Sequence, residues 1–275
     1  DAFLELHSNS KRPVTNDWLN QGQSVSRALS SGKNIGLLLG NTSGLLDVDL
    51  DCREAKLLAD IILPLPMAAF DRGTTDSGHH LYKATTTGPR KSFTSMDKKT
   101  LVELRGDGSQ TMIPPSVHPN GTQLAFTSFN EEVNHVAYDE LLKAVNLLAA
   151  CSELAQNWKE GCRHELALSF SGLARKHDLE PNLIMQIVQG ICQIANDLEV
   201  EDRLNAVRST FARPLKTVVG FSGLSDCLGE ANAKRIADRI GGYSGIAIQG
   251  SDLVTTQPKI QGVVNYGQFS DKANV

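Results

Sequence analysis

Three aspartates alternate along a short segment, Asp47, Asp49 and Asp51, with an apolar residue between each pair. In a β-strand, alternate side chains project from the same face, so these carboxylates would stand side by side. Adjacent carboxylates repel each other and aspartate has a poor strand propensity, so a strand tolerates this arrangement when cations neutralise it. Oxygen ligands on one face suit Mg²⁺ or Mn²⁺, which accept a few carboxylates together with substrate phosphates. The pattern predicts a metal site; the alternative is a polar strand edge or a solvated turn.

A serine–glycine turn with two histidines follows at Ser77 and carries potential ligands for phosphate. Such a turn, leading into a strand, offers a hydroxyl, backbone N–H groups and an imidazole, which are the donors that hold a triphosphate. Because His79 and His80 would point to opposite faces of the strand, we expect one to be functional and the other structural. The alternative is a surface turn whose histidines are incidental.

Glu103 and Arg105 share one face of a later predicted strand that has apolar neighbours on its other face. Glu103 could complete the metal site, whereas a lone pair of this kind is more often a surface ion pair. The proline-rich loop that follows aims Ser116 and His118 in fixed directions. Carboxylates on two strands and a phosphate-binding turn are together the groups needed for two-metal phosphoryl or nucleotidyl transfer.

Missing motifs and the composition exclude several function classes. The sequence has neither a GxxxxGK[ST] loop nor a nucleophile elbow, which excludes a P-loop motor and a Ser-His-Asp hydrolase. The five cysteines form no CxxC pair, so we expect reduced thiols in the cytosol and no zinc site. The net charge of −4 argues against a strongly basic nucleic-acid-binding protein but is compatible with an enzyme that uses carboxylates to hold metal ions. No apolar run approaches the ~18 residues of a membrane span.

The elements that must position these residues change in character near residue 138. Before it, short β-rich runs alternate with turns, and one helix is predicted over 54–62, ending before Pro64. After it, apolar residues recur with the helical period, which predicts a helical bundle. The predicted strands are 35–39, 45–51, 80–82, 100–105, 111–113 and 123–127, and the later helices are 138–157, 164–177, 181–198, 200–211 and 230–240. The predicted fold class is α+β, with a strand-rich domain over 1–137, a helical bundle domain over 138–240 and a polar tail or linker over 241–275.

The motifs over residues 11–127, taken in order, resemble the primase-polymerase (prim-pol) branch of the archaeo-eukaryotic primase superfamily, in the form found in plasmid, phage and integrated-element replication proteins. The matching motifs are Lys11-Arg-Pro13 with Trp18, the Ser43-Gly44 turn before the aspartates, the Ser-Gly-His turn, the acidic residue before Arg105-Gly106, and the Pro-Pro-Ser-x-His-Pro-x-Gly loop. No single motif is decisive, but the ordered set is specific. The resemblance implies an RRM-like catalytic core packed with a second α/β module.

The resemblance implies a metal-binding role for the acidic residues. It favours Asp49 and Asp51 as the aspartate pair, with Asp47 and Asp49 as the other possible pair. Glu103 matches the third acidic motif, where aspartate is common.

The resemblance also implies which residues contact the nucleotide. His80 directly precedes Leu-Tyr and therefore matches the motif II histidine of the family, and Ser77 would join it on the phosphates. Ser116, His118 and Arg105 would lie close to the nucleotide.

The start of the helical half resembles the helical domain that follows such modules in mobile-element primases, through the segment that runs from Trp158 to Arg163 and His164. This resemblance implies that Arg163 and His164 contact template phosphate or a nucleotide. The alternative is a helix N-terminus with solvated polar residues. A basic cluster could guide the DNA backbone, although a solvated loop is the commoner explanation; it comprises Arg90, Lys91, Lys98 and Lys99.

The sequence therefore predicts a cytoplasmic, DNA-directed primase-polymerase of a bacterial plasmid or phage. It would join nucleotides from nucleoside triphosphates on a single-stranded DNA template with Mg²⁺ or Mn²⁺, beside a helicase domain or protein and without any membrane association. The alternatives are a non-catalytic replication-initiator module that binds DNA and a metal-dependent nuclease.

Overall fold

The computed structural model describes residues 1–72 and 78–243, which form two antiparallel β-sheets and a set of helices. The strands are β1 (Phe3–Leu6), β2 (Asn34–Leu38), β3 (Leu45–Leu50), β4 (Ala68–Asp71), β5 (Gly78–Lys83), β6 (Lys91–Thr94), β7 (Thr100–Arg105), β8 (Gln110–Ile113) and β9 (Ala125–Phe129). The helices are α1 (Val25–Ser30), α2 (Arg53–Ile62), α3 (Tyr138–Gln156), α4 (Arg163–Lys176), α5 (Pro181–Ile194), α6 (Val200–Ala212), α7 (Phe221–Leu228) and α8 (Glu230–Gly241). The predicted α+β class, with strands first and a helical bundle after them, is confirmed.

The larger sheet places β3 at its centre. Its strand order is β6-β7-β3-β5-β4-β9, and the smaller sheet has the order β1-β2-β8. Along β3, Leu46, Val48 and Leu50 belong to the apolar core that the sheet shares with the helices. The alternate residues, which include Asp47 and Asp49, project from the opposite face, towards the smaller sheet. Both faces of β3 are thus buried, and the carboxylates are held inside the protein.

Helix α2 follows β3 directly and covers the back of the larger sheet. The Sγ atom of Cys52 accepts a hydrogen bond from the backbone N–H of Ala55 (3.4 Å), which caps the first turn. The helix ends at Ile62 because Pro64 disfavours helical backbone at the residue before it. Its buried face packs against α3 and α5. One apolar core therefore runs from β3 through α2 into the later helices without a break at residue 138.

A buried ion-pair cluster fastens the last described helix to the larger sheet. Glu153 of α3 is 1% exposed and accepts hydrogen bonds from Arg235 (2.9 Å) and Arg239 (2.6 Å) of α8. Both arginines also donate to the backbone carbonyl of Thr94 in β6, at 2.5 and 2.7 Å. The cluster thus joins α3, α8 and an edge strand of the sheet.

Two predictions concern the chain as a whole, namely the absence of a membrane span and the polar tail. Within residues 1–72 and 78–243, no helix is both long and apolar enough to cross a lipid bilayer. Of the predicted polar tail over 241–275, residues 244–275 lie outside the described part of the chain.

Candidate active site

Asp49 lies at the centre of the site because β3 pairs with a strand on each side. In the register of the sheet, Asp49 is directly opposite Glu103 of β7 and directly opposite His79 of β5. Such opposite residues share a face and have neighbouring Cβ atoms. Asp51 follows one residue after β3, and its backbone N–H donates to the carbonyl of Leu101 (3.1 Å). The sheet therefore brings carboxylates that are distant in sequence to one place.

The carboxylates of Asp49, Asp51 and Glu103 form a group that could hold a metal ion. Each offers one oxygen, and these oxygens lie within 4.8 Å of one another. The Oδ1 atom of Asp49 is buried and has no hydrogen-bond partner. Burial, together with the charges of Asp49 and Glu103, raises the pKa of Asp51 to about 6. A cation would satisfy this oxygen and offset the repulsion between the carboxylates, and a donor set of carboxylate oxygens suits Mg²⁺ or Mn²⁺.

Asp47 lies outside this group because a histidine engages its fully buried carboxylate. His79 Nδ1 lies 3.0 Å from Oδ2 of Asp47, and His79 Nε2 lies 3.6 Å from Oδ1 of Asp49. Burial alone would raise the pKa of Asp47, but His79 and Arg105 hold it below its usual value. Burial alone would lower the pKa of His79, but Asp47 and Asp49 raise it. Phe70 stacks on the imidazole, with ring centroids 4.7 Å apart and planes at 10°. The aspartates thus contact the ring nitrogens of His79 and Phe70 contacts the face of the ring.

His80, which the sequence assigned to the nucleotide phosphates, lies on the other face of the sheet. It is opposite Val48 of β3 and Ala69 of β4, and its Nδ1 atom is buried without a hydrogen-bond partner. Burial lowers the pKa of His80, which favours the uncharged ring. The two histidines do point to opposite faces, as a strand requires. The register of β5 against β3, however, brings His79 rather than His80 to the carboxylates.

Two arginines neutralise part of the acidic charge. Arg105 donates to Oε2 of Glu103 from Nε (3.0 Å) and Nη2 (2.9 Å), and it also donates to Asp49. Arg90 donates to the other carboxylate oxygen of Glu103. Burial alone would raise the pKa of Glu103, but Arg90 and Arg105 hold it below its usual value. Glu103 is therefore ionised at neutral pH.

A cleft of about 130 Å³ opens between the two sheets, and Asp49, Asp51 and Asp71 line it. Positive side chains line the same cleft, namely Lys11, Arg72 and Arg105. His118 lines it too, and burial together with the charges of Arg72 and Lys11 lowers the pKa of its imidazole. His118 Nε2 lies 3.4 Å from Nη1 of Arg72, so these two groups from different loops form one cluster. Cations beside an acidic group that could hold a metal ion suit a triphosphate chain. Arg72 was missed in the sequence because it belongs to no recognised motif, and Ser77 lies outside the described residues.

Residues 2–137 match the family described as bifunctional DNA primase/polymerase, N-terminal. This part of the chain is a prim-pol domain. The match supports a primase or polymerase function in replication, with DNA and nucleotides as substrates. No curated protein is significantly similar to the chain.

Within the prim-pol domain, Ser116 occupies a different environment from the one expected of a nucleotide ligand. It is 3% exposed, its hydroxyl accepts a hydrogen bond from the backbone N–H of Ile35 (2.8 Å), and it donates to the carbonyl of the same residue (3.3 Å). These contacts fasten the proline-rich loop to β2 and leave His118 as the residue of that loop that lines the cleft.

In the helices that follow the prim-pol domain, Arg163 and His164 contact the protein itself. Arg163 Nη1 lies 3.5 Å from the buried carboxylate of Asp197, and Arg163 Nε donates to the carbonyl of Trp158 (3.4 Å). His164 Nδ1 lies 2.7 Å from Asp202 at the start of α6. These contacts join the N-terminal ends of α4 and α6, so the motif has a packing role in the structure. Its predicted contact with template stays a prediction.

Proposed function

We propose that this protein is a DNA-directed primase-polymerase that joins nucleotides on a single-stranded DNA template by two-metal nucleotidyl transfer, in the replication of a plasmid or phage. The observation that carries the proposal is the carboxylate group of Asp49, Asp51 and Glu103 in a prim-pol domain. Its two aspartates line a cleft that cationic side chains also line. This arrangement supports chemistry on a nucleoside triphosphate, because it can bind the metal ions and the phosphate charge at neighbouring positions.

Asp49, Asp51 and Glu103 would hold the divalent ions, Mg²⁺ or Mn²⁺. When bound, these ions supply Lewis-acid activation of a primer 3′-hydroxyl and charge neutralisation at the phosphates. Arg105 fixes the orientation of Asp49 and Glu103 through its hydrogen bonds to both carboxylates. It would also contribute a positive charge to the nucleotide site.

The side chains that would bind the triphosphate are Lys11, Arg72 and His118 on one part of the cleft and His79 beside the carboxylates. We assign to His79 the phosphate contact that the sequence motif gives to His80, because only His79 shares a face with Asp49. Asp47 and Phe70 would orient the imidazole for this contact.

The helical part, predicted as a separate domain over 138–240, would engage the template or the first nucleotide. We propose that the protein acts in the cytoplasm, beside a helicase domain or protein that opens the duplex. The ion-pair contacts of Arg163 indicate that any template contact at this motif would be made chiefly by the more exposed His164, at 47% against 16% side-chain exposure.

The experiment that tests the proposal is nucleotide incorporation on a single-stranded DNA template, with and without a primer, in Mg²⁺ and in Mn²⁺. The Asp49→Asn/Asp51→Asn variant should yield no product, and Asp238→Asn, which removes an exposed carboxylate from α8, should behave as the wild type. Product without a primer would establish priming. DNA binding without any incorporation would favour the initiator alternative, and a shortened template would favour the nuclease.

A further inference from the structure

A surface outside the candidate active site combines exposed cations with exposed apolar side chains. It lies where α4 and α6 end and α7 begins, around the 3-10 turn Leu215–Thr217. We name it the α6–α7 surface and define it by six exposed residues, Lys176, Arg213, Leu215, Lys216, Val219 and Phe221. The three apolar members are between 39% and 48% exposed. Apolar side chains exposed near one another and set among cations are a composition that suits a binding surface.

The α6–α7 surface carries positive charge, whereas the net charge of the whole chain is negative. Between Asp202 and Asp226 the sequence contains no aspartate or glutamate, although the net charge of the protein is −4. Arg213 and Lys216 belong to that stretch, and Lys176 reaches it from the end of α4. A polyanion is therefore the partner that the charge of the surface fits.

Hydrogen bonds and close packing fix the backbone of the α6–α7 surface, so its side chains project from fixed positions. Arg175 Nη1 donates to the carbonyls of Thr210 (2.6 Å) and Arg213 at the end of α6, and its guanidinium lies 5.9 Å from the ring centroid of Phe211. Gly172 of α4 meets the segment so closely that an added Cβ would lie 1.6 Å from the carbonyl oxygen of Val219. A preformed frame lowers the entropic cost of ordering a binding site.

Lys176 stands directly over the entrance to α7. An added Cβ at Gly220 would lie 3.0 Å from Lys176 Nζ, which puts the ammonium group beside the residue that precedes Phe221. The surface thus has a cation beside the residue that precedes its exposed aromatic side chain, and cations and aromatic rings are the groups with which proteins bind phosphates and stack bases.

We propose that the α6–α7 surface binds single-stranded nucleic acid, with Lys176, Arg213 and Lys216 contacting phosphates and Phe221 stacking on a base. The apolar side chains favour a single strand over a duplex, because only unpaired bases expose their faces for stacking. The identification of this strand as the template rests on the proposed function, but the binding itself does not.

The test is fluorescence anisotropy of a labelled oligothymidylate with the full chain, in the absence of nucleotide and divalent metal. Arg213→Gln/Lys216→Gln should weaken binding about 10- to 25-fold at ~0.1 M salt, and should reduce the slope of log K against log salt by about 1.4, since each lost phosphate contact removes about 0.7. Phe221→Ser should weaken binding about fivefold or more without changing that slope. The matched control Arg27→Gln/Lys234→Gln removes one arginine and one lysine from exposed helix positions elsewhere, and it should bind as the wild type.

An affinity and a salt slope that stay at wild-type values in Arg213→Gln/Lys216→Gln would overturn the proposal, provided that circular dichroism shows the variant folded. It is equally overturned if the surface variants bind the oligonucleotide normally but change the sedimentation of the protein, because the surface would then join two copies of the chain. The proposed function is tested separately: Asp49→Asn/Asp51→Asn should abolish incorporation and leave oligothymidylate binding intact.

Discussion

Exchanging each of the two adjacent histidines for phenylalanine tests the assignment of faces in β5. The chemical change is identical, but the surroundings differ. At position 79 the new ring keeps the stack on Phe70 and loses the hydrogen bond to Asp47. At position 80 it replaces a ring whose buried Nδ1 atom has no partner.

The magnitudes follow from these contacts. A hydrogen bond to a buried charged group contributes about 1.5–3 kcal/mol, so His79→Phe should lower the free energy of unfolding by about 2–3 kcal/mol. A lost phosphate contact of about 1.5–3 kcal/mol corresponds to a fall in kcat/KM of about 10- to 160-fold. His80→Phe exchanges an unsatisfied polar atom for carbon, and its free energy of unfolding should stay within about 1 kcal/mol of the wild type.

The assay is urea unfolding of both variants, followed by nucleotide incorporation under conditions in which each is folded. We expect His79→Phe to lose stability and activity together and His80→Phe to retain both. The opposite pattern, with activity lost in His80→Phe and retained in a fully stable His79→Phe, would refute the register argument and return the phosphate contact to His80.

Three further predictions concern single groups. Because the pKa of Asp51 is raised to about 6 in the folded protein, its contribution to stability is complete below about pH 4 and is lost as the pH rises through 6. We therefore expect the free energy of unfolding of the wild type, measured by urea unfolding in EDTA, to fall relative to that of Asp51→Asn between about pH 4 and pH 7. A difference between the two proteins that does not change with pH would contradict this. Glu153→Ala should cost about 3 kcal/mol in a urea titration, since it leaves Arg239 buried without its carboxylate; a loss below about 1 kcal/mol would contradict a buried pair. Ser116→Ala should cost about 1–2 kcal/mol through its bonds to Ile35 and leave the KM for nucleotide unchanged, whereas a raised KM at wild-type stability would place Ser116 at the nucleotide.

Much of the fold follows from local patterns in the sequence. The predicted helix over 54–62 agrees with α2 to within a residue, because its apolar period and the proline after it are both local signals. The predictions missed β1 at the start of the described chain. They also missed two weakly patterned segments, namely β4, the Ala-Ala-Phe segment, and β6, in which a lysine, a serine and a threonine surround one phenylalanine. Neither segment has a strong strand pattern of its own, and each is a strand because a neighbouring strand offers it hydrogen bonds.

The candidate site was predictable where it depends on alternation and unpredictable where it depends on register. The common face of Asp49 and Asp51 follows from a period of two, and Glu103 was found through its motif. The side of the sheet on which His79 falls depends on how β5 pairs with β3, which is a long-range property. Arg72 follows β4 and lines the cleft. Its position therefore depends on the pairing of β4 with β5, which cannot be predicted from local sequence patterns.

The continuous apolar core between the larger sheet and the helices has a mechanical consequence. Protein interiors are close-packed and barely compressible, so elements that share a core cannot swing against each other as hinged lobes do. Arg235 of α8 adds a second connection between the same two layers, because it donates hydrogen bonds both to Glu153 of α3 and to the carbonyl of Thr94 in β6. A nucleic-acid strand bound on the helices would therefore lie at a constant distance from Asp49. This fixed distance would determine at which nucleotide of the strand the first bond is made.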